Sequence, residues 1–334
     1  MIAELPRLLM EFLRGLGILL ALQAATSVAS FVILRLTPRW PRARAVFLLT
    51  LPVLYHLILI PFLSSRTVLI LGAVFMWLDV TFTCRLLSSI YFYNRSKELP
   101  GPFFHVIWLV TAPRMHYEAS GWGGLEGERF SGKLLKQWGG ILLYTALITL
   151  IAGLLILAGY QLRFPGHIVV VRGAFFLLGL EALATCLNLT SLAWSFRGYH
   201  KSFVGNFAWF RSVHIGQFWR SWNPLAVLAF QEVGKVLNFP RRSFMNTMAV
   251  FLVSGLLHQI AVYYYIRVPS YGTAMSFLFH GVFVYVFGHL HHARDRIPAP
   301  FRLLVFNPAT SAAVTLLACQ PFVMDFYKEF TFSF

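Results

Sequence analysis

Charge is what this chain has least of. Only 12% of its 334 residues are charged, where a soluble domain carries about a quarter. Acidic residues are the scarcer kind, 12 Asp and Glu against 28 Lys and Arg, which leaves a net charge of +16. So few charges cannot cover the surface of a water-soluble fold of this length. Cysteine is also scarce. Cys84, Cys186 and Cys319 sit far apart in apolar stretches with no CxxC pair, which argues against a disulfide framework or a zinc site. No Gly-x-Ser-x-Gly element occurs, and no Ser or Cys nucleophile stands beside a base in the sequence. Internal repeats and Ser-rich or acidic linkers are missing too, so a single membrane-embedded domain over 1–334 is expected. The first apolar segment lacks a small-residue cleavage site and is expected to stay in the mature protein.

What fills the chain is apolar sequence, 58% of all residues, with a mean hydropathy of +0.68. Runs with almost no charge reach the ~20 residues needed to cross a bilayer core of about 30 Å. Eight such spans are expected, at 16–34, 45–63, 67–83, 139–160, 168–194, 244–266, 273–291 and 303–323. The pieces 103–112 and 225–239 are too short to cross and read as re-entrant or interfacial helices. The expectation is therefore an all-α, polytopic transmembrane protein.

The basic residues follow the spans. Loops 35–44, 84–138, 195–243 and 292–302 are rich in Arg and Lys, and the connections between them are poor. This alternation places the rich loops in the cytoplasm and both termini on the other side. It also assigns the positive charge to membrane lipids and not to nucleic acid, for which no binding module is present. Segment 203–223 is dense in aromatic residues and Arg, a composition suited to lying along the membrane interface.

Polar residues inside apolar spans are costly, which makes them candidates for chemistry. His258 lies about 15 residues into its span, roughly 20 Å from the cytoplasmic edge at 1.5 Å per residue. A neutral imidazole at that depth suits a general base. Asp79, Glu181, His56 and His280 read more simply as structural hydrogen-bond partners. His289, His291 and His292 form one irregular cluster at a span end. Histidine-box metal enzymes need several spaced boxes, so the cluster reads as an interfacial cationic anchor and no metal is expected.

Two motifs stand out together. Gln217-Phe-Trp-Arg-Ser-Trp-Asn223 precedes Ser254-Gly-Leu-Leu-His258, with 35 residues between Asn223 and His258. The pair resembles the signature of the membrane-bound O-acyltransferase superfamily, and most closely its wax synthase-like branch. Phe279-His280-Gly281 in the next span resembles that branch as well. The resemblance covers 203–266, and the other spans match only in hydropathy. Arg220-Ser221 departs from the branch, which usually has two adjacent basic residues there.

The resemblance implies that His258 and Asn223 are catalytic. It implies that Gln217, Trp219, Arg220, Trp222 and His280 contact substrate. His258 would take the proton of an alcohol as it attacks an acyl-CoA thioester, with Asn223 orienting a group or donating to the oxyanion. Arg220, Lys235, Arg241 and Arg242 lie on the side where CoA phosphates would enter. Acyl-CoA would be a co-substrate, with no cofactor, and the acceptor a lipophilic alcohol arriving from the membrane. That membrane would be the endoplasmic reticulum in a eukaryote or the inner membrane in a bacterium. A polytopic transporter or flippase is the alternative. It is disfavoured because no inverted repeat or matching pair of broken helices is visible.

Overall fold

The structure is a computed structural model. It describes residues 5–37, 41–59, 101–110, 131–162, 167–193, 208–222, 242–266 and 271–329, with single positions in 78–89 and 227–240. Most of the expected span 67–83, most of the piece 225–239, and Asp79, Cys84, Asn223, Lys235 and Arg241 lie outside the described residues.

Among the described residues every regular element is helical. The helices are α1 (Leu5–Leu36), α2 (Pro41–Leu59), α3 (Pro102–Val110), α4 (Gly132–Leu162) and α5 (His167–Ala193). Two short helices follow, α6 (Ala208–Arg211) and α7 (Ile215–Trp222). Then come α8 (Phe244–Ile266) and α9 (Gly272–His292), a 3-10 turn at Arg294–Arg296, α10 (Ala299–Val305), α11 (Pro308–Ala318) and α12 (Gln320–Glu329).

Among the described residues three stretches are long and apolar enough to cross a membrane: Leu9–Leu36, Trp138–Gly159 and Gly272–His292. A fourth is the bent pair α10 and α11 if the two are one span. The described residues thus supply three or four of the eight expected spans. Residues 303–323 do not form the single straight span expected of them. Asn307 caps α11 by accepting the Thr310 N–H at 2.9 Å, Pro308 takes the first helical position, and α10 meets α11 at 48°. An Asn-Pro pair starts a helix and disfavours continuing one, because proline lacks the donor the preceding turn needs. A second break follows at Cys319, before the Gln320-Pro321 start of α12.

The chain divides into two compact units. One comprises Met1–Leu125, Leu228–Asn238 and Ile260–Pro269. The other comprises Glu126–Val227, Phe239–Gln259 and Ser270–Phe334.

In the first unit α1 packs against α2 and α3. Its outer face shows Leu9, Leu13, Leu20, Val28 and Val32, and its inner face buries Gln23, Ser27 and Ser30. A helix in water would have the reverse pattern. With lipid outside, apolar side chains face out and polar ones pair within the protein. Gln23 Nε2 donates to Tyr55 Oη at 3.3 Å, and Ser30 Oγ lies 2.7 Å from His105 Nε2. His56 is buried with its Nδ1–H on the Pro52 carbonyl, a local helix contact.

In the second unit α4 pairs with α5, and α9 packs against α7, α11 and α12. The outer face of α4 again shows leucine, at 143, 147, 150 and 154, while Ile148 and Ala152 are buried. Thr145 and Thr185 hydroxyls join α4 to α5 at 2.9 Å. Glu181, Thr185 and Asn188 form one buried polar stripe on α5.

Two glycines let α8 and α9 approach closely. A Cβ on Gly255 would stand 2.9 Å from Phe277 Cβ and 3.2 Å from Ala274 Cα. A Cβ on Gly281 would stand 3.1 Å from both Met248 Sδ and Phe251 Cβ. Each helix thus offers a glycine to the other, as membrane helices do when backbone approach replaces hydrophobic drive.

Candidate functional site

The close crossing of α8 and α9 determines where His258 sits. Gly255 admits the Phe277 side chain, and three residues later on the same helix the His258 ring lies against Phe277, centroids 4.4 Å apart. His258 is half-buried, and its Nδ1 is 2.8 Å from the Ser254 carbonyl. A carbonyl only accepts, so Nδ1 carries the proton and, in the neutral ring, the lone pair falls on Nε2. This is the tautomer in which Nε2 can take a proton. The next residue anchors the neighbouring helix: Gln259 Oε1 accepts the Ala274 N–H at 3.2 Å. That N–H is one of the first-turn donors of α9, which has no side-chain cap of its own.

The first motif forms α7 and reaches the same place. Its start is a local capping arrangement: His214 Nδ1 accepts the Gln217 N–H at 3.3 Å, and Gln217 Oε1 accepts the Val213 N–H at 3.0 Å. Gln217 Oε1 is therefore engaged with backbone. Phe218 and Trp222 are buried on one face of α7, their rings parallel at 6.2 Å. Arg220 is exposed, with Nε on the Gly216 carbonyl at 3.1 Å.

Trp219 makes the connection between the motifs. Its ring meets Phe251 of α8 at 5.7 Å, Phe277 of α9 at 5.6 Å, and the His280 ring edge-on at 5.0 Å. Its Nε1 is buried with no hydrogen-bond partner among the described residues.

His280 is buried behind Trp219. Its Nδ1–H donates to the Ser276 carbonyl at 2.7 Å, and its Nε2 lies 3.5 Å from Cys319 Sγ. The Ser276 hydroxyl also accepts the Phe322 N–H at 2.8 Å, which ties the first turn of α12 to α9. A buried cysteine beside a base is thus present, contrary to the expectation from sequence. The two residues are 39 apart, one in α9 and the other at the break between α11 and α12, and nothing in either local sequence announces the pairing.

The structure therefore gathers His258, Trp219 and His280 around Phe277. Trp222 belongs to the same helix as Trp219 but serves its buried packing face. Arg242 is exposed and holds a left-handed backbone, φ 64°. The histidine cluster splits. His289 lies on Tyr285 of its own helix, while His291 turns onto His214 of α7, ring centroids 4.7 Å apart. His291 is half-buried by this ring contact, and His292 is exposed. Among the described residues no three His, Cys, Asp or Glu side chains converge as metal ligands would.

No known protein-family model matches the chain, and no curated protein or solved structure matches it either.

Proposed function

We propose that this protein is an acyl-CoA-dependent O-acyltransferase that esterifies a lipophilic alcohol within the membrane. The observation that carries the reading is Trp219, which joins the QFWRSWN motif to the helices bearing His258 and His280 through contacts of 5.0 to 5.7 Å. Two segments that resemble an acyltransferase signature thereby share one aromatic cluster. The eight-span arrangement, with the basic loops in the cytoplasm, belongs to the same proposal. So does residence in the endoplasmic reticulum or a bacterial inner membrane.

In this mechanism His258 Nε2 takes the hydroxyl proton as the alcohol oxygen attacks the thioester carbonyl. The C–S bond breaks as the tetrahedral intermediate collapses, and CoA thiolate leaves with the proton returned from His258. The developing oxyanion needs donors. Trp219 Nε1–H is a buried donor in the right cluster, and Asn223 is the donor the family resemblance names. Burial excludes water, which would otherwise compete as acceptor.

The test is ester formation from labelled acyl-CoA in membranes, normalised to protein level. His258→Ala should lose about 10²–10⁴-fold while acyl-CoA binding persists. Trp219→Phe keeps a ring but removes the N–H, and should lower turnover by about a hundredfold. Normal ester formation by a well-inserted His258→Ala protein would sink the mechanism. If the native protein moves a lipid and releases no CoA thiol, the transporter reading replaces this one.

A further inference from the structure

The His214–His291 contact has no place in the chemistry above, yet it gathers an unusual set of groups. His214 caps α7 and His291 lies in the last turn of α9, with their rings 4.7 Å apart and inclined by 34°. Phe306 walls off one side, edge-on to both rings at 6.5 and 5.6 Å. Gly216 makes room for this, since a Cβ there would stand 3.2 Å from His214 Nδ1. Arg220 stands near enough for its charge to act on both imidazoles, and Arg294 and His292 act on His291. Among the described residues the one acid acting on the cluster is Asp295, which is exposed and held 3.6 Å from Arg294 Nε.

The hydrogen-bond valences are equally one-sided. His214 Nδ1 is occupied as an acceptor, so the neutral ring presents Nε2–H as a donor. His291 Nδ1 is buried and meets no partner among the described residues. Two guanidiniums, whose Nε atoms meet the Gly216 carbonyl and Asp295, complete a set in which donors outnumber acceptors. A metal cation would be repelled by both arginines and would find only two imidazoles. A phosphate supplies what the set lacks: negative charge and several acceptor oxygens within one small group.

We propose that His214, Arg220, His291 and Arg294 form a binding site for a phosphate group. Two sources share that chemistry, the phosphates of coenzyme A and an anionic lipid headgroup. The first source rests on the acyltransferase reading. It suits the geometry, because Phe277 and His291 lie on one helix 14 residues apart, a rise of about 21 Å. A donor with phosphates at one end and a thioester at the other would then set its headgroup at the rim and its reactive end at His258.

The experiment uses the full chain in phosphatidylcholine nanodiscs, with two probes, tritiated coenzyme A and dioleoylphosphatidic acid. The variants are Arg294→Gln, at an exposed position, and His291→Phe, which keeps the ring stacking and removes the nitrogens. Each should weaken at least one probe by about tenfold, the loss of one charge-assisted contact. Weakening of coenzyme A alone assigns the site to the donor, weakening of phosphatidic acid alone assigns it to lipid, and weakening of both supports a site open to either. Both affinities unchanged in both folded variants would overturn the proposal. Acyl transfer by the wild type is measured alongside. If it fails while the binding losses stand, the enzyme reading has failed and the phosphate site has not.

Discussion

Cys319 Sγ lies 3.5 Å from His280 Nε2, and the opposite nitrogen of the same ring is held by the Ser276 carbonyl at 2.7 Å. The Ser276 carbonyl takes the Nδ1 proton, and the thiol stands at the opposite nitrogen. Both residues are buried, and the ring also meets the Thr315 carbonyl, so loss of the thiol removes one of its polar contacts. Cys319→Ala should therefore cost about 1–3 kcal/mol, and Cys319→Ser, which keeps a donor, should cost less. Thermal unfolding in detergent separates the two. Equal stability of both variants would mean that the contact is packing alone.

Gly255 makes a second, geometric prediction. A side chain there meets Phe277 Cβ and the Ala274 backbone, neither of which is a flexible tip. Gly255→Val should force α8 from α9, cost about 1–3 kcal/mol, and move His258 off Phe277. Gly179→Ala is the control, since among the described residues nothing lies within 4 Å of a Cβ at that helical position. It should be neutral or stabilising by up to about 1 kcal/mol. The readouts are melting temperature and ester formation. An unharmed Gly255→Val protein would show that the close crossing is not required.

His214 predicts a pH dependence. Burial, then the His291 and Arg220 charges, lower its pKa from 6.5 to about 4. The folded state therefore favours the neutral ring more than the unfolded chain does. That contribution is fully present above pH 6.5 and is lost as pH falls from 6.5 towards 4. The melting temperature should drop across this window, and His214→Gln should drop less. Parallel pH profiles for the two proteins would contradict the assignment.

Some of this was legible in the sequence because it depends on local composition. Apolar runs give membrane helices wherever they are long enough, since lipid leaves the backbone no other way to satisfy its hydrogen bonds. The bounds expected for 139–160 and 273–291 agree closely with Trp138–Gly159 and Gly272–His292. The break at Asn307-Pro308 was also written in the sequence, as a cap followed by a proline, but hydropathy averaged over the window concealed it.

By itself, then, the sequence determined an all-helical membrane protein and marked His258 and the QFWRSWN motif as the places to look. Tertiary structure alone decided that Trp219 lodges against Phe251, Phe277 and His280, that Cys319 pairs with His280, and that His214 stacks on His291. The physical reason is one of range. Helix formation and insertion depend on residues within a few turns, whereas each of these contacts joins side chains far apart in the chain. For α8 and α9 the register is set where glycines 255 and 281 let the two backbones meet.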